Sequence, residues 1–170
     1  ITEIDGADVL YNAQGIIKES MENAAEIFGT AKTLYSTEGS SLSIRAMLYL
    51  SALFAKEQGK KPLILAARNV HKAFISAAAL VDFDIQWLYP EDKEGILSCK
   101  ISPSTLKSYL LNADEIPTAL YITSPDYLGN ISDIKGLSQV CKEFSMLLLV
   151  DNAHGAYLNF LDEHLHPSAL

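Results

Sequence analysis

Leu63-Ile64-Leu65-Ala66, Ala119-Leu120-Tyr121-Ile122-Thr123 and Met146-Leu147-Leu148-Leu149-Val150 are apolar almost throughout, with no alternation. A strand with one wet face alternates apolar and polar side chains, whereas a continuously apolar strand has both faces covered. Two more short runs read as strands, Thr33-Leu34-Tyr35-Ser36 and Ile85-Gln86-Trp87-Leu88-Tyr89. Helical patterns lie between the runs. Residues 12–28 place Ile16, Ile17, Met21, Ala24, Ala25 and Phe28 at helical spacing, and Gly29 stops them. A long pattern runs from Gly39-Ser40-Ser41 through Gln58 to Gly59, and shorter ones cover 71–82, 103–112 and 133–144. Ser102 before Pro103 supplies an N-cap and an N1 proline, and Asp133 places negative charge at a helix start. Strand and helix in alternation predict an α/β fold, a mainly parallel sheet between two helical layers, in one domain over residues 1–170.

A hydrophobic content of 49% lets such a chain bury its own core. The formal net charge is -8, from 13 Lys+Arg against 21 Asp+Glu, and the basic residues are scattered. This balance argues against nucleic acid or an anionic membrane as the main partner. Cys99 and Cys141 stand in no metal-ligand spacing and fit a reducing cytoplasm. No apolar run has the length of a membrane span, and none reads as a signal peptide.

Open α/β sheets bind ligands outside the carboxyl ends of their strands, and the notable polar residues follow those ends. Gly39-Ser40-Ser41 opens a helix after the first run and offers backbone N–H groups and two hydroxyls to a phosphate. The plainer reading is an N-cap serine after a turn glycine. His71, in Arg68-Asn69-Val70-His71-Lys72, offers an imidazole for stacking or proton transfer, and its plainer reading is a cap or a satisfied surface group. Ser124-Pro125-Asp126-Tyr127 follows the fourth run and Asp151-Asn152-Ala153-His154-Gly155-Ala156 the fifth. A carboxylate at Asp151 is costly to bury unless a cation or donor meets it, though an Asp there can also cap a loop. His154, with His164 and His166, lacks tight ligand spacing on a rigid element, so no metal site is expected. Neither the G-x-G-x-x-G nor the P-loop nucleotide fingerprint occurs.

Taken together, these runs resemble the major domain of the Orn/Lys/Arg decarboxylases, pyridoxal-phosphate enzymes of the aspartate-aminotransferase fold type. Ile1-Thr2-Glu3-Ile4-Asp5-Gly6 is similar to the opening of that domain, and Arg68-Asn69-Val70-His71-Lys72 to its R-N-x-H-K run. Thr123-Ser124-Pro125-Asp126-Tyr127-Leu128-Gly129 resembles T-S-P-T-Y-x-G, and Leu149-Val150-Asp151-Asn152-Ala153-His154-Gly155-Ala156 resembles L-V-D-E-A-H-G-A. Leu165-His166-Pro167-Ser168-Ala169-Leu170 resembles L-P-x-S-A. The matches cover nearly the whole chain in order.

The resemblance implies pyridoxal 5'-phosphate as cofactor, an amino acid as small-molecule substrate, and a homodimer or higher homo-oligomer. It implies that Ser40 and Ser41 hold the cofactor phosphate and that His71 stacks on the ring. Asp151 would pair with the ring nitrogen, His154 would lie beside the ring, and Ser124 would make a further contact. A carboxylate beside that nitrogen keeps it protonated, and the protonated ring accepts the electrons left when carbon dioxide departs. Asp126, Asn152 and Ser43 depart from the family pattern.

In the family, the lysine that carries the cofactor lies in an S-x-H-K motif downstream of S-A-L. The chain therefore reads as an inactive piece of a larger decarboxylase, and Lys72 belongs to a different run. Such a piece is expected to leave the strands near Leu34 and Leu120 without partners and to self-associate. An aminotransferase or lyase of the same fold type shares the ring-nitrogen Asp, and a non-catalytic regulatory homologue would keep the fold alone. An S-x-H-K lysine separates the enzyme from the regulatory homologue.

Overall fold

The computed structural model describes residue 4, residues 6–90, residues 99–161 and residue 167. Two helices come first, α1 (Ile16–Phe28) and α2 (Gly39–Glu57). Strand and helix then alternate through β1 (Leu63–Ala67), α3 (Lys72–Val81), β2 (Asp84–Leu88), α4 (Pro103–Leu111), β3 (Ala119–Thr123), α5 (Ile134–Glu143) and β4 (Leu147–Asp151). The strands form one sheet in the order β2-β1-β3-β4, with every pairing parallel.

Strand periodicity sorts the core into two layers. Ile64, Ala66, Ala119 and Tyr121 pack with Ile44 and Leu48 of α2 and with Ala73, Phe74 and Ala77 of α3. On the opposite face Leu65, Ala67, Leu120 and Ile122 pack with Leu106 and Leu110 of α4 and with Ile134, Leu137, Val140 and Cys141 of α5. This is the expected α/β sandwich. Most helix boundaries fall where local chemistry puts them. Ser102 caps α4 by accepting from Thr105 N–H, with Pro103 at the first turn, and Asp133 caps α5 by accepting from Gly136 N–H.

The first helix starts later than its apolar spacing predicts, at Ile16 rather than residue 12. The Asp8 carboxylate accepts from the N–H groups of Gln14, Gly15 and Ile17 at 2.8–3.0 Å, so the cap comes from a residue well upstream. These backbone donors, Gln14 first, hold the Asp8 carboxyl below its usual range.

The expected strand at residues 33–36 does not form. Leu34 is 68% exposed, and the Tyr35 hydroxyl is tied to Ser20 on α1, so this segment is a surface connector. The expected gap beside Leu120 is absent too, because β3 is hydrogen-bonded to β1 on one side and to β4 on the other. The resemblances at the start of the chain and around Leu165, together with His164 and His166, lie largely outside the described residues. No described helix is long and apolar enough to cross a membrane.

Phe74 is fully buried and touches the rings of Phe83, Trp87 and Tyr121. Phe74→Ala is expected to cost about 3–5 kcal/mol in urea denaturation, and a loss under about 1 kcal/mol would contradict this packing. Burial pushes the Cys141 thiol up to about 11. Unfolding restores its ordinary value, so the stability from the protonated thiol is intact below about pH 9 and is lost as pH rises toward 11. Cys141→Ala should flatten the alkaline fall in melting temperature, and an unchanged slope would count against it.

Candidate functional site

Connections leave β1 and β3 in opposite directions, through α3 toward β2 and through α5 toward β4. The carboxyl ends of these two adjacent strands therefore flank a topological switch point, where open α/β sheets bind ligands. The segments after β1, β3 and β4 all begin at this edge of the sheet.

Asp151 ends β4 and is 6% exposed, in register with Thr123 at the end of β3. Its Oδ2 accepts from the Tyr121 hydroxyl at 3.0 Å and its Oδ1 from Ala153 N–H at 3.2 Å. Among the described residues no ion pair includes Asp151. The buried carboxylate is thus held by neutral donors alone. Tyr121 is fully buried, and its phenol is pushed well above its ordinary value, first by burial and then by the Asp151 charge. It remains a proton donor through the neutral range. The Thr123 hydroxyl is buried beside this pair without a hydrogen-bond partner among the described residues.

Ser124 N–H donates to the Asp151 carbonyl at 3.0 Å, which ties the β3 and β4 ends together, while its hydroxyl accepts from Ser132 N–H at 3.0 Å. Asp126 turns inward on its own loop: its carboxylate accepts from Leu128 N–H, Asn130 N–H and the Asn130 side-chain amide. The charge that departs from the family pattern therefore builds the loop. A side chain at Gly155 would collide with the Asn152 amide oxygen and the Pro125 ring, so a glycine is needed where the two loops cross. His154 is exposed, with its ring centroid 5.7 Å from that of Tyr127.

His71 caps α3, its Nδ1 accepting from Ala73 N–H at 3.1 Å. The plainer reading of His71 thus describes its backbone role. Ser40 and Ser41 are not caps. Glu38 holds the N-cap position of α2 without a side-chain bond to the helix N–H groups, and Gly39, at φ 64°, takes a left-handed turn that a side chain would strain. The first-turn N–H groups of α2 have no intrahelical acceptor. Arg45 bonds back to the Ser41 carbonyl and pairs with Glu38. Ser41 and His71, with Arg45, Lys72, Ala73, Ser76 and Leu80, line a groove of about 400 Å³ between α2 and α3.

The predicted residues thus form two groups. Ser41 and His71 share one groove, with Ser40 exposed beside it, while Asp151 and Ser124 are joined at the β3–β4 ends. Among the described residues no hydrogen bond or ion pair joins His154 to Asp151. An anion would meet free N–H groups and hydroxyls at the start of α2, and a protonated ring nitrogen would meet the Asp151 carboxylate. Sequence reasoning passed over Tyr121 and Thr123, although a tyrosine inside a buried strand signals a hydroxyl that needs a partner. Among the described residues no group of His, Cys, Asp and Glu is placed to hold a metal ion.

Residues 1–169 match the family described as Orn/Lys/Arg decarboxylase, major domain. An arginine decarboxylase of Bacillus subtilis (strain 168) is 32% identical over 166 residues, covering 96% of this chain and 32% of that protein. The chain spans about a third of the length of the curated relatives it matches. In structure, mouse CSAD in its apo form matches with a TM-score of 0.72 at 16% identity, over 89% of this chain and 35% of that one. A sphingosine-1-phosphate lyase from Burkholderia pseudomallei matches with a TM-score of 0.68 at 21% identity, over 89% of this chain and 36% of that one. These two likenesses establish the shared fold. The chain belongs to the Orn/Lys/Arg decarboxylase family.

Proposed function

We propose that this chain is the cofactor-binding part of a pyridoxal-phosphate-dependent decarboxylase that removes carbon dioxide from a basic amino acid. The observation that carries the reading is Asp151, a buried carboxylate with no cation among the described residues, at the carboxyl edge of a parallel sheet. A carboxylate so placed has unused lone pairs and a reason to meet a positive partner. The unpartnered Thr123 hydroxyl and the uncapped start of α2 point the same way. Family membership supports the cofactor class, and arginine decarboxylases among the relatives favour arginine as the substrate.

Bound there, pyridoxal phosphate would supply an electron-accepting ring for the charge left when the carboxyl group departs. Asp151 holds a proton on the ring nitrogen. The N–H groups and hydroxyls of Ser40 and Ser41 would bind its phosphate, and His71 would cover its ring. His154, on the loop after β4, would be a further contact. Ser124 keeps Asp151 in register through the backbone and reaches the cofactor only with its remaining hydroxyl capacity. Tyr49, Leu50 and Leu53 form an exposed apolar stripe on α2 that supports assembly as a homodimer or larger homo-oligomer. The two buried cysteines, neither in a disulfide, fit a reducing compartment, the cytoplasm.

In the full-length protein, Asp151→Ala should lower turnover by about a hundredfold or more, the scale of one positioned charge in a water-excluded site. Near-normal decarboxylation would overturn the role given to Asp151. We propose further that these 170 residues hold the cofactor without a covalent bond, since Lys72 belongs to the R-N-x-H-K run and not to the family's S-x-H-K lysine motif. Borohydride reduction and mass spectrometry should then find no stoichiometric adduct on a single lysine, and one on Lys72 would reverse that assignment.

A further inference from the structure

Tyr121 occupies the middle of β3, where a fully buried parallel strand ordinarily carries an aliphatic side chain. Its ring packs against Phe74 at a centroid distance of 4.6 Å, a contact that phenylalanine would serve equally well. The hydroxyl is what needs explaining. It reaches along the neighbouring strand to Asp151 Oδ2, at the end of β4, at 3.0 Å, while the Oδ1 bond from Ala153 N–H, at 3.2 Å, comes from a turn only two residues away in sequence. A carboxylate on a single local backbone bond can rotate about its Cβ–Cγ bond. A second donor from a different strand fixes its plane.

Resting on the cofactor site proposed above, we propose that Tyr121 is the positioning residue of Asp151. Its hydroxyl fixes the carboxylate plane so that an unused lone pair faces the ring nitrogen of pyridoxal phosphate and keeps the proton on that nitrogen. The phenol stays protonated for this task because burial and the adjacent carboxylate oppose its ionisation. Phe74 is part of the device, since it presses the tyrosine ring against the sheet from α3.

The test uses the full-length protein loaded with pyridoxal phosphate labelled with ¹⁵N in the ring, in wild type, Asp151→Asn and Tyr121→Phe. The wild-type nitrogen should resonate as protonated and that of Asp151→Asn as unprotonated. Tyr121→Phe should move clearly from the first toward the second, with cofactor content unchanged. Its kcat should fall about tenfold with KM nearly constant, the scale of one hydrogen bond to a charged group. A Tyr121→Phe signal identical to wild type, beside a shifted Asp151→Asn signal, overturns the positioning role and leaves the cofactor site standing. An Asp151→Asn signal that does not move overturns the site itself. If Tyr121→Phe fails to fold, 3-fluorotyrosine at position 121 keeps the ring and strengthens the donor. Its nitrogen signal should stay at or beyond the wild-type protonated position with kcat retained, and a move toward the Asp151→Asn position overturns the proposal.

Discussion

A carboxylate taken out of water at the end of a parallel strand destabilises the fold by several kcal/mol unless donors replace the lost hydration. At Asp151 those donors are a tyrosine hydroxyl from β3 and a backbone N–H from the following turn. This small network explains several otherwise separate features. Tyr121 must stand inside β3, α3 must bring Phe74 over its ring, and Ser124 N–H must hold the Asp151 carbonyl so that the strand ends stay in register. The packing of the α2–α3 layer and the chemistry of the sheet edge are therefore one arrangement.

Topology places the remaining groups. Because β1 and β3 are neighbours whose connections diverge, the loops that follow them open a crevice, and the start of α3 delivers His71 to its rim. Helix α2 packs on the same face of the sheet as α3 and begins with an uncapped first turn, and its Ser41 lines the same groove as His71. Gly155 lets the β4 loop pass under the Pro125 ring, where any side chain would push the two loops apart.

The sheet was legible because Leu63–Ala67, Ala119–Thr123 and Leu147–Asp151 carry a nearly continuous apolar signal that only a doubly covered strand requires. Residues 33–36 were not: four residues suited to a strand remain a connector when no neighbour offers them a ladder. The capping alternative for the serines of α2 did not hold, since the helix begins at Gly39, ahead of where a cap at Ser40 would start it. Asp151 and His71 could be chosen from their places after apolar runs. Tyr121 carried only the signal of a buried hydroxyl in need of a partner, because that partner lies 30 residues away and its orientation comes only from the folded sheet. Asp126 shows the converse, a conspicuous charge whose three hydrogen bonds all close on its own loop.

The most direct test is a crystal structure of the full-length protein with pyridoxal phosphate bound. The present account expects the phosphate at the start of α2 beside Ser40 and Ser41, and the ring nitrogen within hydrogen-bonding reach of the Asp151 carboxylate while Tyr121 still donates to Oδ2. A cofactor seated elsewhere, or one whose ring nitrogen has no contact with Asp151, would contradict it.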